Sequence, residues 1–157
     1  MWQQIMWWLL TLVVGSFLVP YIVQVIAARN KLTALIVEIR YNRVVLNRFK
    51  KSGAGIQVVS RSAYEDFRKD YLLAKTLAKD KKHRAFDHIH NAYAYHSSRL
   101  VGNADGEWHD VFDRFSTADQ KLMDYLKLER PRLGGIVPLF DKAFFSDIDV
   151  SLRSVSE

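Results

Sequence analysis

The sequence predicts an all-α protein: an N-terminal transmembrane helix followed by an antiparallel helical bundle. Three observations lead there. Ile5 to Ala28 is a run of 24 residues without Asp, Glu, Lys, Arg or His. Seven basic residues (Arg29, Lys31, Arg40, Arg43, Arg48, Lys50, Lys51) and one acid, Glu38, follow it, and this stretch carries the whole formal net charge of +6. Beyond it the apolar residues keep a helical period to the C-terminal tail. The boundaries this implies are an anchor over 1–30, a cytoplasmic bundle over 31–130 and a tail over 131–157.

The anchor comes first. Its 24 helical residues reach roughly 36 Å, enough for a hydrocarbon core of about 30 Å with some tilt. Thr11, Ser16 and Gln24 are its few polar residues, and Pro20 predicts a kink of the kind membrane helices tolerate. Trp2, Trp7 and Trp8 favour one headgroup level, and Arg29 and Lys31 mark the other. All the nearby basic side chains follow the run, so the positive-inside rule places the N-terminus outside and the domain in the cytoplasm. The bilayer, that of a bacterial inner membrane, is thus the first expected partner. A cleaved signal peptide fits less well. It needs a basic leading region and an apolar core of about 7–15 residues, and Val25-Ile26-Ala27 matches a cleavage site only loosely. The absence of Cys agrees with a reducing compartment and excludes thiol chemistry.

The juxtamembrane helix comes next. Leu32, Leu35, Ile39, Leu46 and Phe49 fall within about 100° on a helical wheel, which makes Lys31–Lys51 an amphipathic helix continuous with the anchor. Asn42 lies in the same stripe, where a buried amide can set register or partner choice between helices. Ser52-Gly53-Ala54-Gly55 ends the helix. Ser62-Ala63-Tyr64-Glu65 has capping-box spacing and predicts a second helix to about Lys79. Asp80 is the expected cap of a third, Lys81 to about Val101. Gly102 to Gly106 reads as a turn, and a fourth helix starts near Glu107. Ser116-Thr117-Ala118-Asp119 offers a cap within it, and Pro131 stops the helical pattern. The tail holds a Phe-rich patch, including Phe144 and Phe145, suited to packing on the bundle or on a partner.

Few residues point to chemistry. Arg84-Ala85-Phe86-Asp87-His88-Ile89-His90 contains an Arg-x5-His pair. This heptapeptide resembles the Arg-x(4–6)-His motif of the helical HEPN-type ribonucleases. The resemblance implies phosphate-stabilising and acid–base roles for Arg84 and His90. Ala85 stands where that family has a polar residue. In one continuous helix Arg84 and His90 sit about 120° apart, so a functional pair needs a helix break or a second chain. His83, Asp87 and His90, at i, i+4 and i+7, form a candidate metal-binding face, with His109 and Asp113 on the next helix. Paired Glu-x-x-His motifs are absent, as are a phosphate-binding glycine loop and a nucleophile elbow. No cofactor is therefore expected. Lys79-Asp80-Lys81-Lys82-His83-Arg84 is a basic run open to nucleic acid but better explained as a solvated helix junction.

Ala34-Leu35-Ile36-Val37-Glu38-Ile39-Arg40-Tyr41-Asn42 resembles the juxtamembrane helix of a loose class of small bacterial single-pass proteins. That resemblance implies a bacterial or phage origin and no particular activity. The expected function is accordingly non-enzymatic. The protein acts through a membrane-protein partner or as a homo-oligomer, either as a scaffold or as a membrane effector of the antiviral, phage-defence type. The residues expected to carry association are Asn42, Phe144 and Phe145. The alternatives are a HEPN-like RNA-binding or RNA-cleaving effector, and an accessory subunit of a larger membrane complex.

Overall fold

The computed structural model describes residues 2–52, 59–99, 107–133 and 137–139. The chain is mostly helical. Helix α1 (Trp2–Val13) passes through a π-helical turn (Val14–Leu18) into α2 (Val19–Ser52). Then come α3 (Ser62–Lys69), α4 (Tyr71–Ala78), α5 (Ala85–Arg99) and α6 (Glu107–Asp124), the last continued by a second π turn (Tyr125–Glu129). Arg132–Leu133 (β1) pairs antiparallel with Val137–Pro138 (β2) in a small hairpin.

The first π turn has a local cause. Pro20 lacks an N–H, and its ring crowds the carbonyl four residues back. The turn just ahead of it widens instead, and the Val19 N–H donates to the Val14 carbonyl, five residues earlier. The helix bends its register there without ending.

From Trp2 to Pro20 every residue is exposed, apolar side chains included. The helix is long and apolar enough to cross a membrane, with a mean hydropathy of 2.2 in a window only 6% buried. From Val25 onward one face enters the core: Val25, Ala28, Leu32, Leu35, Ile36, Ile39, Asn42 and Leu46 are all buried. The stripe of Leu32, Leu35, Ile39 and Leu46 predicted from spacing is thus the face that packs. One uninterrupted α2 is both the end of the apolar span and the central support of the domain. The side chain of Phe49 lies outside the described residues.

The other helices close on that face. α3 and α6 pack against α2, α5 packs against α6 and α4, and β1 touches α4. Tyr64, Phe67, Leu73, Leu77, Ile89, Tyr93, Phe115, Leu122 and Leu126 complete the core. Tyr64 and Tyr93 stack at 4.2 Å, and Phe115 meets Tyr93 edge-on at 5.0 Å. At the end next to the exposed apolar helix, the Tyr21 hydroxyl donates to the Leu133 carbonyl (2.8 Å) and the Arg29 guanidinium to the Pro138 carbonyl (2.9 Å), which seats the hairpin against α2.

Three expectations are corrected. The single helix from Ser62 to Lys79 breaks at Asp70, whose side chain turns back to accept from the Leu73 N–H (3.1 Å) and so starts α4. Asp80 does not cap a helix at Lys81. Its carboxylate gathers the N–H groups of Lys82, His83 and Ala85 in a turn, and α5 begins only at Ala85. Ser116 to Asp119 is no cap either, because α6 runs through it while Ala118 and Asp119 face inward. Arg84 and Arg130, at the two junctions flanking this region, have left-handed backbones with φ of 53° and 43°.

Candidate functional site

The densest polar arrangement is buried between α2, α3 and α5, and its centre is Glu38, the one acid of the basic juxtamembrane segment. Its side chain accepts four hydrogen bonds. Ser60 Oγ (2.8 Å) and the Ala63 N–H (2.8 Å) meet one oxygen, and the Tyr64 N–H (3.0 Å) and Tyr93 hydroxyl (2.7 Å) meet the other. Glu38 thus takes the place of a local N-cap for α3. A carboxylate at a helix N-terminus also meets the positive end of the helix dipole. The Ser62 expected to cap α3 is instead its first residue, and Arg61 ahead of it makes no side-chain cap.

One turn further, Asn42 is fully buried and pairs with the backbone of Ser60 in both directions: its amide donates to the Ser60 carbonyl (2.9 Å) and its oxygen accepts from the Ser60 N–H (3.0 Å). Asn42 therefore fixes register within the chain, between α2 and the segment leading into α3. It presents nothing to an outside partner in this arrangement. Burial first, then the neighbouring Glu38, pushes the Tyr93 hydroxyl far above the ordinary tyrosine range, so it remains a donor. Tyr64 is also raised, by burial and against the opposing effect of Arg68.

A second clamp ties α6 to α2. Asp119 is buried and receives Arg40 Nε (3.0 Å) and Arg43 Nη1 (2.5 Å). A third joins Lys31 to Asp70 at 2.8 Å. Three of the basic residues that follow the apolar run are therefore structural: Arg40 and Arg43 share Asp119 of α6, and Lys31 holds Asp70 at the start of α4.

The residues of the Arg-x5-His motif are held apart by separate partners. Arg84 lies ahead of α5 and pairs with Asp87 (3.0 Å), both exposed, while His90 is bound through Nδ1 to the Tyr64 hydroxyl (2.7 Å). The helix break that a functional pair requires is present, at Arg84, yet it directs the guanidinium to Asp87. The candidate metal face is not assembled on one helix. His83 precedes the helix and is buried, with Nε2 at 3.5 Å from Glu129, whereas Asp87 and His90 are exposed on α5. Among the described residues no group of three His, Asp or Glu side chains is placed to hold a metal ion. Asp113 lies apart from these, in an open groove of about 440 Å³ between α5 and α6, with His88, Asn91, Asp110, Arg114 and Thr117. Phe144 and Phe145 lie outside the described residues.

Trp2, Trp7 and Trp8 are exposed on α1. Arg29 and Lys31 each hold part of the domain at the opposite end of the span.

No known protein family, curated protein or solved structure matches this chain. What the molecule does must therefore be read from its own surfaces. One of them escaped the sequence reading. The face of α2 opposite the core exposes Asn30, Ala34, Val37 and Tyr41, with Val44 half-buried and Arg48 exposed in line with them. These positions alternate in steps of four and three, the spacing of a coiled-coil seam. Val37 is 37% and Tyr41 48% exposed. The signal was present in the sequence, but the stronger stripe on the opposite face of the same helix dominated it.

Proposed function

We propose that this protein is a single-pass membrane protein that works by self-association, two copies meeting along the exposed seam of α2 beneath the bilayer. The seam carries the reading. Ala34, Val37, Tyr41 and Val44 form an apolar ridge on a helix whose other face is already committed to the core. The ridge is continuous with the bare apolar helix above it, so a bilayer would confine two copies in parallel with their seams level. In a parallel two-stranded contact each seam residue meets its own counterpart. Asn30 then faces Asn30 of the second copy, so the register-setting role that the sequence suggested for Asn42 falls to a different asparagine.

The same reading keeps the N-terminus outside and the domain in the cytoplasm, from the basic residues that follow the span. It also takes the domain as an antiparallel bundle. Asp119 meets α2 at Arg40 and Arg43, while Leu133 and Pro138 meet it nearer the span, at Tyr21 and Arg29, so the chain from α6 to the hairpin runs back along α2.

The chain has no cysteine, which makes a disulfide scan direct. Single cysteines at Ala34, Val37, Tyr41 and Val44 in the full-length membrane-embedded protein should cross-link on mild oxidation. Asn91→Cys and Gln120→Cys, on exposed positions of α5 and α6, should not. A monomer mass in mild detergent together with no cross-link along α2 would overturn the proposal. A stoichiometric complex with a different protein would replace it with the accessory-subunit reading.

A further inference from the structure

We infer that the domain touches the membrane a second time, through a face formed by the start of α4, the second π turn and the hairpin, and that this face takes anionic lipid headgroups. The inference rests on the reading of α1 and the start of α2 as a membrane span, and on where the domain sits along that span. Tyr21 holds Leu133 and Arg29 holds Pro138, so the hairpin covers one side of α2 from Tyr21 to Arg29. The uncovered side of those turns remains apolar and bare: Ile22, Val23 and Ile26 are 50%, 58% and 51% exposed. If these side chains are in lipid, the hairpin beside them is at the lipid–water boundary.

Two further elements are held near that level. Lys31, two residues past Arg29, fixes Asp70 and with it the first turn of α4. The second π turn leads directly into β1, and β1 touches α4. Among the described residues outside α2 and the apolar helix before it, these are the places that expose large apolar side chains: Tyr71 at 73%, Leu72 at 37% and Leu128 at 66%. Basic residues surround them. Lys75 lies over the Tyr71 ring at 5.3 Å, and Lys79, Lys127, Arg130 and Arg132 are exposed on the same elements or their ends. Aromatic and aliphatic side chains among lysines and arginines match the chemistry of a headgroup layer. Each basic group near an anionic surface adds attraction.

The absence of cysteine again supplies the test. Nitroxide labels are placed singly at Leu128, at Tyr71, at Phe17 in the span and at Asn91 on α5, in full-length protein reconstituted into vesicles. One set of vesicles is phosphatidylcholine and the other an equimolar mixture with phosphatidylglycerol. Accessibility to a water-soluble and a lipid-soluble relaxant gives each label's depth. In the mixed vesicles, labels at Leu128 and Tyr71 should lose water accessibility and report headgroup depth, while Asn91 stays fully in water. Arg130→Glu with Arg132→Glu should return Leu128 to water. Water-like accessibility at Leu128 and Tyr71 with Phe17 deep in hydrocarbon overturns the second contact and leaves the span intact. Water-like accessibility at Phe17 overturns the span itself.

Discussion

Removing the Glu38 side chain should cost more stability than any other single polar substitution in the described domain. Four donors converge on it, and two of them, the Tyr64 N–H and the Tyr93 hydroxyl, are buried. In Glu38→Ala those two lose their acceptor with no water to replace it. A stranded buried donor costs about 1–3 kcal/mol, which gives about 4 kcal/mol for the pair. The Ser60 hydroxyl and Ala63 N–H are only partly buried and recover water at little net cost. Against a typical domain stability of about 5–15 kcal/mol, that loss brings the fold close to its threshold. Glu38→Gln keeps one acceptor oxygen but turns an NH₂ toward the remaining donors, so about 2 kcal/mol is expected. Tyr93→Phe removes one donor and should cost about 1 kcal/mol in the wild type and almost nothing in Glu38→Ala, a coupling that a double-mutant cycle isolates. The assay is urea unfolding of the full-length protein in mild detergent, followed by near-ultraviolet circular dichroism. A Glu38→Ala variant within about 0.5 kcal/mol of wild type would refute the clamp.

Three other outcomes are expected. Asp119→Ala leaves the partly exposed Arg40 and Arg43 without their shared acceptor and should destabilise the domain by about 1–2 kcal/mol in the same assay, whereas Asp87→Ala, which breaks only an exposed pair with Arg84, should stay near wild type. Burial works to raise the Asp70 carboxyl, but the hydrogen bond and charge of Lys31 and the Leu73 N–H outweigh it and hold it below its ordinary 3.8. Its contribution is therefore complete above that value and is lost as pH falls through the lower folded one, so a pH titration of stability should show an acid-side loss that Asp70→Asn lacks. Arg84→Gly removes a left-handed arginine (φ 53°) and should stabilise the domain by about 0.5–1 kcal/mol; a variant that is more stable yet has lost a ribonuclease activity would revive the HEPN-type reading.

What the sequence revealed and what it hid follow from the range of the interactions involved. The long apolar helix, the basic segment and the α2 stripe of Leu32, Leu35, Ile39 and Leu46 depend on periodicity and charge within one helix, and these were legible. The break at Asp70 was not, because the residue serves Lys31, far back in the sequence, as well as its own turn. Ser62 carried the local signature of a cap, yet the carboxylate that caps α3 comes from α2. Glu38 did leave a trace: a lone acid among seven bases, between Leu35 and Asn42 on the inward side of the helix. Arg84 and His90 failed to pair for the same reason, since each is taken by a residue that spacing could not supply.

Because α2 is shared between the exposed apolar helix and the core, the domain has no natural cutting point between them. A truncation after Ala28 would remove Val25 and Ala28 from the core and the Tyr21 attachment of the hairpin. One before Tyr21 would keep them but leave Ile22, Val23 and Ile26 facing water. Any tilt or rotation of the apolar helix would also be a movement of the whole domain, since no hinge separates them between Val19 and Ser52.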